Sequence, residues 1–405
     1  MVPPSANPPP PHRLAHLQLL PLLSGVQRVS LDELRSLDRG AYLPHLICKE
    51  SGPLSEQATA AGAVCHFVPD LVRPISPRVD LQALRQLIQL LQRLRLQVLH
   101  THSSKTGILG RVAGRISRVP VVVHTVHGFA FPFARSRVTR AIYYAVEYIG
   151  GRLCDALIVL NEADRQFAVE KLRLGPGKVH LIPNGIDVSR FVDLTAAQRQ
   201  AARRDLFPDD GDDLVWIGMV GRLWRQKNPE CLVHATVELH RRGCRRFRVV
   251  MIGDGDLRGE LEALIERHGV GETVRLLGWR EDVPNLLGAL DIFVLPSRWE
   301  GLPLAIIEAM AAGLPVVASD IPGNRDLVEE GVDGHLFGDD DAIGLADRLQ
   351  ALITNRGKAR AMGARGRIKA VREYSLQRRT DRIDALYQQL LNAPSARSRL
   401  QMQQE

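Results

Sequence analysis

Two carboxylates stand eight positions apart in RWEGLPLAIIEAMAAGLPVVASD, residues 298–320: Glu300 at its start and Glu308 in its middle. Between Leu304 and Gly313 only Glu308 can ionise. A charge inside an apolar element needs a partner, a hydrogen bond or neutralisation. Pro303 suits a first helical turn and Gly313 the position just past a helix end. A helix of about ten residues, ~15 Å long, is therefore predicted. It is apolar nearly all round and is expected to be buried. Glu308 would then meet either the hydroxyl groups of a ligand, such as a sugar or ribose, or a buried arginine. Glu300 falls in the loop after the strand-like DIFVLPS. The amides of Gly301 and Leu302, just ahead of Leu304, lie where backbone donors and the helix dipole favour phosphate.

Three other segments offer chemistry. In GMVGRLWRQKNPE (218–230) a strand ends at Gly221, and Arg222 and Lys227 follow before a helix opens at NPE. Two cations at a strand end suit a diphosphate, Arg as a fork and Lys as a point charge, or they are solvated loop charges. In MIGDGDLRGEL, Gly253 and Gly255 begin a dinucleotide-like pattern, but Arg258 stands where its third glycine belongs. A nicotinamide dinucleotide is not supported, while a Gly-rich turn near phosphate stays open. The DGD here and the DGD at 210–212 could be mistaken for a metal-binding Asp-x-Asp, but the second lies in a polar linker and reads as surface charge. Histidines cluster in LHTH (His100, His102) and HTVHGF (His124, His127). His100 and His102 share a face if extended. Metal ligation is conceivable for HxH, yet no carboxylate stands at a matching local spacing. One strand-end histidine could exchange a proton or polarise a hydroxyl, with the others structural. In LLSGVQRV, Gly25 follows Ser24 between the first strand and helix, where glycine lets backbone approach a ligand.

The elements that must hold these residues alternate in type. Short apolar runs (LAHLQLL, HLICKE, AVCHFVP, VLHTH, VPVVVHTVH, DALIVLNE, VHLIPNG) alternate with helical patterns. The polar stretch 193–213 interrupts them, and the alternation resumes with LVWIGMV, FRVVMIG, TVRLLGW, DIFVLPS, LPVVASD and GHLF. Strands spaced by helices imply parallel sheets covered on both faces. The chain of 405 residues is too long for one ordinary core. It reads as an α/β protein with two doubly wound halves: 12–192, a linker at 193–213, and 214–372, with helical sequence following. Ligands bind at the carboxyl ends of such strands, so two facing halves make a cleft. Residues 1–11 are proline-rich and expected to be disordered, without the pattern of a signal peptide, and 393–405 are expected to be a flexible tail.

Composition narrows the function. Hydrophobic content of 45% and charged content of 24% suit a soluble globular protein. A net charge of +8 and a pI of about 9.5 favour acidic partners. No nucleic-acid-binding motif accompanies that charge. Five cysteines (Cys48, Cys65, Cys154, Cys231, Cys244) form no CxxC pair and suggest free thiols in a reducing compartment. The best membrane-span candidate, residues 141–160, carries Glu147, Arg152 and Asp155 and is rejected.

Taken together, GRLWRQKNP, IGDGDLR, IPNGID and PSRWEGLPLAIIEAMAAGLPVVASD resemble the retaining GT-B glycosyltransferases of family 4, and Glu300 and Glu308 match the E-x7-E motif of that family. GVQRVSLDELRSLDRG, HTHSSKTGILGRVAG and HTVHGFAF are similar to members that build bacterial surface polysaccharides. The resemblance implies two Rossmann-like domains, a nucleotide-sugar donor mainly on the C-terminal one, and a last helix (373–392) crossing back to the N-terminal one. It implies that Glu308 binds the donor ribose, Glu300 lies near the donor sugar, Arg222 and Lys227 bind the diphosphate, and His127 lies near the reacting sugar. Gly25, Gly221, Gly253, Arg280, Gly301, Leu302 and Leu304 complete the implied donor site. Ser24 replaces one glycine of a frequent pair, and Pro322 in DIPGN replaces another.

The implied reaction is retaining transfer from a UDP- or GDP-sugar to a glycan acceptor, lipid-linked, without metal or other cofactor. The aromatic and arginine-rich stretch HGFAFPFARSRVTRAIYYAVEYIGGR, with Arg135, Arg137 and Arg140, suits either an anionic bilayer or an ordinary sheet-packed helix. The implied location is the cytoplasmic face of the plasma membrane, peripherally. Alternatives are a sugar-nucleotide epimerase of similar fold and a non-catalytic nucleotide-sugar-binding assembly protein.

Overall fold

The computed structural model describes residues 10–129, 136–208 and 213–404. The expected proline-rich tail falls mostly outside the described residues, as do Arg135 and the DGD at 210–212. The chain divides into two compact units: one runs to Pro183 and resumes at Leu376, and the other spans Asn184–Ser375.

All thirteen apolar runs form strands. In unit 1 they are β1 (His12–Leu17), β2 (Tyr42–Cys48), β3 (Val64–Phe67), β4 (Val98–His102), β5 (Val121–Val126), β6 (Ala156–Val159) and β7 (Val179–Leu181). The sheet is parallel, in the order β3-β2-β1-β4-β5-β6-β7. Unit 2 holds β8 (Val215–Val220), β9 (Phe247–Ile252), β10 (Val274–Gly278), β11 (Ile292–Leu295), β12 (Val316–Ser319) and β13 (Gly334–Phe337). Its order is β10-β9-β8-β11-β12-β13, again parallel. Each sheet reverses its winding once, at β1/β4 and at β8/β11. A doubly wound sheet opens its ligand crevice at such a reversal, beyond the carboxyl ends of the strands.

Burial on both faces explains the near-continuous apolar runs. In β5, Val121 and Val123 pack in one core while Val122 packs in the other, the period-two signature of a strand. The helix Leu376–Leu391 completes the core of unit 1 with Ile383, Leu386, Tyr387 and Leu391. Its Asp384 and Gln388 both hydrogen-bond the hydroxyl of Tyr42, at 2.7 and 2.8 Å.

Two segments differ from expectation. The polar stretch 193–213 carries a helix, Ala196–Leu206, opened by a capping box between Thr195 and Gln198. It belongs to unit 2, where Arg203 bonds Asp291 at 2.7 Å and the Ala289 carbonyl at 2.8 Å. In the stretch 393–405, expected to be a flexible tail, the described residues include the helix Pro394–Gln404. Ala396 joins the unit 1 core and Arg399 reaches Asp155 at 3.1 Å, anchors too short in sequence to register as a pattern.

The rejected span divides into the end of helix Arg137–Arg152 and strand β6. Buried Glu147 faces the buried Arg111 at 3.5 Å, and a side chain on Gly150 would collide with that guanidinium. Among the described residues, no helix is long and apolar enough to cross a membrane. All five cysteines are free thiols.

Candidate active site

In unit 2 the reversal point gathers the residues that the sequence singles out. The loop after β8 and the loop after β11 are tied by one backbone bond and one bond from the Gln226 side-chain amide. Arg298 N–H donates to the Gln226 carbonyl at 2.8 Å, and the Gln226 amide donates to the Trp299 carbonyl at 3.0 Å. This join brings Lys227 Nζ to 2.5 Å from Glu300 Oε1, with side-chain exposures of only 18% and 8%. The lysine stem runs beside Gly221, 3.4 Å from where a β-carbon would stand. Arg222 lays its guanidinium over the Trp224 ring, 4.4 Å from the centroid. Three expected site residues (Gly221, Lys227 and Glu300) are thus one contact group, with Arg222 in the same loop.

The glycines of the IGDGDLR segment serve loop packing. Gly253 has φ of +135°, and a β-carbon there would stand 2.0 Å from the Gly221 carbonyl oxygen. A β-carbon on Gly255 would stand 2.6 Å from that of Leu223. Leu223 and Asp254 are joined by a backbone bond of 3.0 Å, so the loops after β8 and β9 lie directly on one another. A close backbone approach accounts for these glycines without a ligand.

The helix after Glu300 runs Leu304–Ala311, with Pro303 as its N-cap and Gly313 beyond its C-cap at φ of +75°. One expectation is corrected here. Ile306, Ile307, Ala309, Met310 and Ala311 are buried, whereas Leu304, Ala305, Glu308 and Ala312 are only partly so. Those four positions share one stripe at helical spacing. Glu308 therefore stands on the one open face of an otherwise buried helix. The helix start is fixed from two sides. Asn184 of IPNGID donates to the Leu302 carbonyl at 2.8 Å. Gly323 lies so near the Gly301 carbonyl oxygen that a β-carbon would reach 2.3 Å. The glycine kept in DIPGN is thus the one the backbone needs, and Pro322 opens the short helix Pro322–Arg325. Behind the loop, Ser319 hydrogen-bonds the Ser297 carbonyl, and Asn324 holds the Ser319 carbonyl at 2.9 Å.

Arg280 is not drawn into this group. It lies just beyond the edge strand β10 and forms a two-pronged pair with Asp282, both bonds 2.7 Å. That pairing raises its pKa and commits its fork.

In unit 1 the histidines converge at the β1/β4 reversal. His16 of β1, His100 and His102 of β4, and His127 just past β5 form a chain of rings. His102 Nδ1 lies 3.1 Å from His127 Nε2, and His102 Nε2 lies 3.2 Å from His16 Nδ1. His100 is held by the Tyr387 hydroxyl at 2.6 Å and the Thr125 hydroxyl at 2.7 Å. His124 is structural: it bonds Thr101, and its ring fills the space above Gly107. Burial holds His16 and His127 down at about 3, and holds His100, His102 and His124 well below the ordinary imidazole range. These rings are neutral at pH 7. Gly25 is exposed and starts the helix Gly25–Ser36, where Ser24 bonds the Gln27 side chain.

Sequence spacing did not anticipate the carboxylate in this cluster. Glu33 is buried in the helix Gly25–Ser36, with Oε2 3.9 Å from both His16 Nε2 and His100 Nδ1. Its signal was an acidic residue flanked by Leu31 and Leu34 on an apolar helix face. His16, Glu33, His100 and His102 offer ligand atoms all within 4.8 Å of one another. Their chemistry nevertheless suits hydrogen bonding better than a cation. Both nitrogens of His100 and of His102 already have partners, and Arg379 puts a buried positive charge 2.6 Å from Glu33.

Residues 23–190 match the family profile described as Glycosyltransferase Family 4, and residues 215–355 that described as Glycosyl transferases group 1. The chain is 39% identical over 377 residues to an Escherichia coli UDP-Gal:alpha-D-GlcNAc-diphosphoundecaprenol alpha-1,3-galactosyltransferase, covering 93% of this chain and 96% of that protein. It is 28% identical to the lipopolysaccharide core biosynthesis mannosyltransferase LpsB of Rhizobium meliloti (strain 1021), over 52% of this chain and 61% of that one. In structure it is similar to Anabaena HepE in complex with UDP and glucose, with a TM-score of 0.81 at 19% identity, covering 93% of this chain and all (100%) of that one.

Proposed function

Because the chain belongs to glycosyltransferase family 4, we propose that it moves a hexose from a UDP-sugar to a lipid-linked glycan with retention of anomeric configuration, in bacterial surface polysaccharide synthesis. The observation that carries this reading is the Lys227–Glu300 group, held at the β8/β11 reversal just ahead of the helix whose open face bears Glu308. Lys227 and Arg222 receive the diphosphate. Negative charge grows on its outer oxygen as the bond to the sugar carbon breaks, and fixed positive charge there lowers the barrier. The acceptor hydroxyl oxygen bonds that carbon, and its proton passes to the departing phosphate oxygen. Glu308 accepts hydrogen bonds from the ribose hydroxyls, and Glu300 stands near the donor sugar. His127 is the hydrogen-bond partner that unit 1 offers to the substrate. The two cations stand in for a divalent metal.

Similarity to the Escherichia coli galactosyltransferase favours UDP-galactose as first donor and a GlcNAc-diphosphate lipid as first acceptor. A lipid acceptor fits a further feature. On the helix Arg137–Arg152, Val138, Ile142 and Ile149 fall on one stripe and are 68%, 53% and 55% exposed. A cavity of about 380 Å³ beside it is lined by Arg137, Arg140, Ala141, Tyr144, Phe167 and Lys171. Apolar side chains flanked by cations suit peripheral attachment to an anionic bilayer, here at the cytoplasmic face.

The test is transfer from a panel of sugar nucleotides to a polyprenol-diphosphate-linked GlcNAc, with products read by mass spectrometry. A gain of one hexose by the lipid is expected. An epimerised sugar nucleotide, or bound donor with no product, would overturn the reading.

A further inference from the structure

The chain of rings in unit 1 ends at a carboxylate, and that fixes its direction. His127 Nε2, His102 Nδ1, His102 Nε2 and His16 Nδ1 follow one another at 3.1 and 3.2 Å, and Ser30 Oγ joins His16 Nδ1 at 2.8 Å. The remaining nitrogen of His16, Nε2, has no hydrogen-bond partner and stands 3.9 Å from Glu33 Oε2, which likewise has none. Each neutral imidazole carries one N–H and one lone pair. With both ring–ring bonds made, the three rings can be ordered in two ways. Either each Nε2 carries the proton and donates toward Glu33's side of the chain, or each Nδ1 does and the order runs outward. The Ser30 hydroxyl donates to His16 Nδ1 in the first order and competes with His102 Nε2 for the Nδ1–H in the second.

Glu33 decides between them. Arg379 donates from Nε to Glu33 Oε1 at 2.7 Å, and Glu33 is 2% exposed. Burial raises the pKa of Glu33, but a neutral Glu33 would leave a buried guanidinium without a counter-charge, held only by the Ile182 and Pro183 carbonyls, so the carboxylate form is favoured. In the first order His16 Nε2–H faces that carboxylate; in the second a lone pair faces it. In a site screened weakly by water, attraction outweighs repulsion by a margin large enough to select one order. Asp32, the neighbouring acid on the same helix, opposes ionisation of Glu33, but its effect is smaller than that of the contact with Arg379. His100 Nδ1 is also 3.9 Å from Glu33, but it is engaged with the Tyr387 hydroxyl at 2.6 Å.

We infer that Glu33, acting through His16 and His102, fixes the tautomer of His127, so that His127 carries its proton on Nε2 and offers Nδ1 as an acceptor for a substrate hydroxyl. Glu33, His16 and His102 are positioning residues. The helix Leu376–Leu391 takes part, since its Arg379 keeps Glu33 ionised. The functional half of this inference rests on the reading of His127 given above.

Two-bond proton–nitrogen spectra of the full chain with 15N-histidine, assigned with His127→Gln, read the tautomers directly and without substrate. A single Nε2–H form at His16, His102 and His127 is expected. An Nδ1–H form at His127, or an average of both, would overturn the inference. In Glu33→Gln combined with Arg379→Met, which leaves no unpaired charge, His127 should lose its single tautomer. An unchanged spectrum would remove Glu33 from the role. Should that pair not fold, Glu33→Asp keeps the charge on Arg379, withdraws it from His16, and should produce the same loss. Turnover of His127→Ala separately tests whether His127 meets substrate, so either claim can fail alone.

Discussion

Lys227 and Glu300 neutralise one another at 2.5 Å, so a diphosphate must compete with Glu300 for the lysine. Lys227→Ala should lower kcat by about 10²–10³-fold, the usual loss for one preorganised charge stabiliser. Its melting temperature should fall modestly, because Glu300, whose side chain is 8% exposed, loses its partner. Steady-state kinetics beside a melting curve check this, and near-parental kcat in a folded variant would remove Lys227 from the mechanism. Glu308 makes a different demand. It stands on an open helical face, so Glu308→Gln should fold normally yet bind UDP more weakly, by about 10-fold for each ~1.4 kcal/mol lost. Calorimetry with UDP and with an analogue lacking the ribose hydroxyls should register the loss only for UDP. A variant that melts early and binds both equally would assign Glu308 to the fold.

At the scale of elements, the carboxyl ends of β1, β4 and β5 concentrate buried neutral histidines, and this has a pH signature. His16 and His127 titrate near 3 when folded, and His100, His102 and His124 are also held well below 6.5. Below about pH 6.5 the unfolded chain therefore binds protons that the folded chain refuses. Stability is full above that value and is lost as pH falls toward 3, by up to about 1.4 kcal/mol per pH unit for each such histidine. Urea midpoints should drop steeply between pH 7 and pH 5, and equal midpoints would contradict the burial of these rings. The strands themselves were legible, because burial on both faces writes each one as a short apolar run. Pro303 and Gly313 likewise marked the helix that carries Glu308. Its open stripe was not legible, since Leu304, Ala305 and Ala312 are no more polar than the buried residues beside them. The partners of the histidines were hidden for another reason: Glu33 and Arg379 are separated by 346 positions, and only the returning helix joins them. Lys227 and Glu300 were both named from sequence, but their direct pairing depends on two loops 73 positions apart.

The whole molecule carries a net charge of +8, and an apolar stripe on the helix Arg137–Arg152 lies among arginines. Attachment to vesicles containing anionic lipid should exceed attachment to neutral ones and weaken with salt. Sedimentation at two ionic strengths checks it, and equal, salt-insensitive binding would count against a membrane role. Both units converge on one chemical claim. In the function proposed above, Lys227 and Arg222 of unit 2 oppose the charge of a departing diphosphate, and the anomeric configuration is retained by attack on the donor's own face, with the acceptor proton leaving on the phosphate. The most direct test is the NMR coupling at the new anomeric position, measured on product made from α-linked UDP-hexose and a GlcNAc-diphosphate lipid with EDTA present. The account predicts an α-glycoside formed at an undiminished rate; a β-glycoside, or no glycoside until a divalent metal is restored, would contradict it.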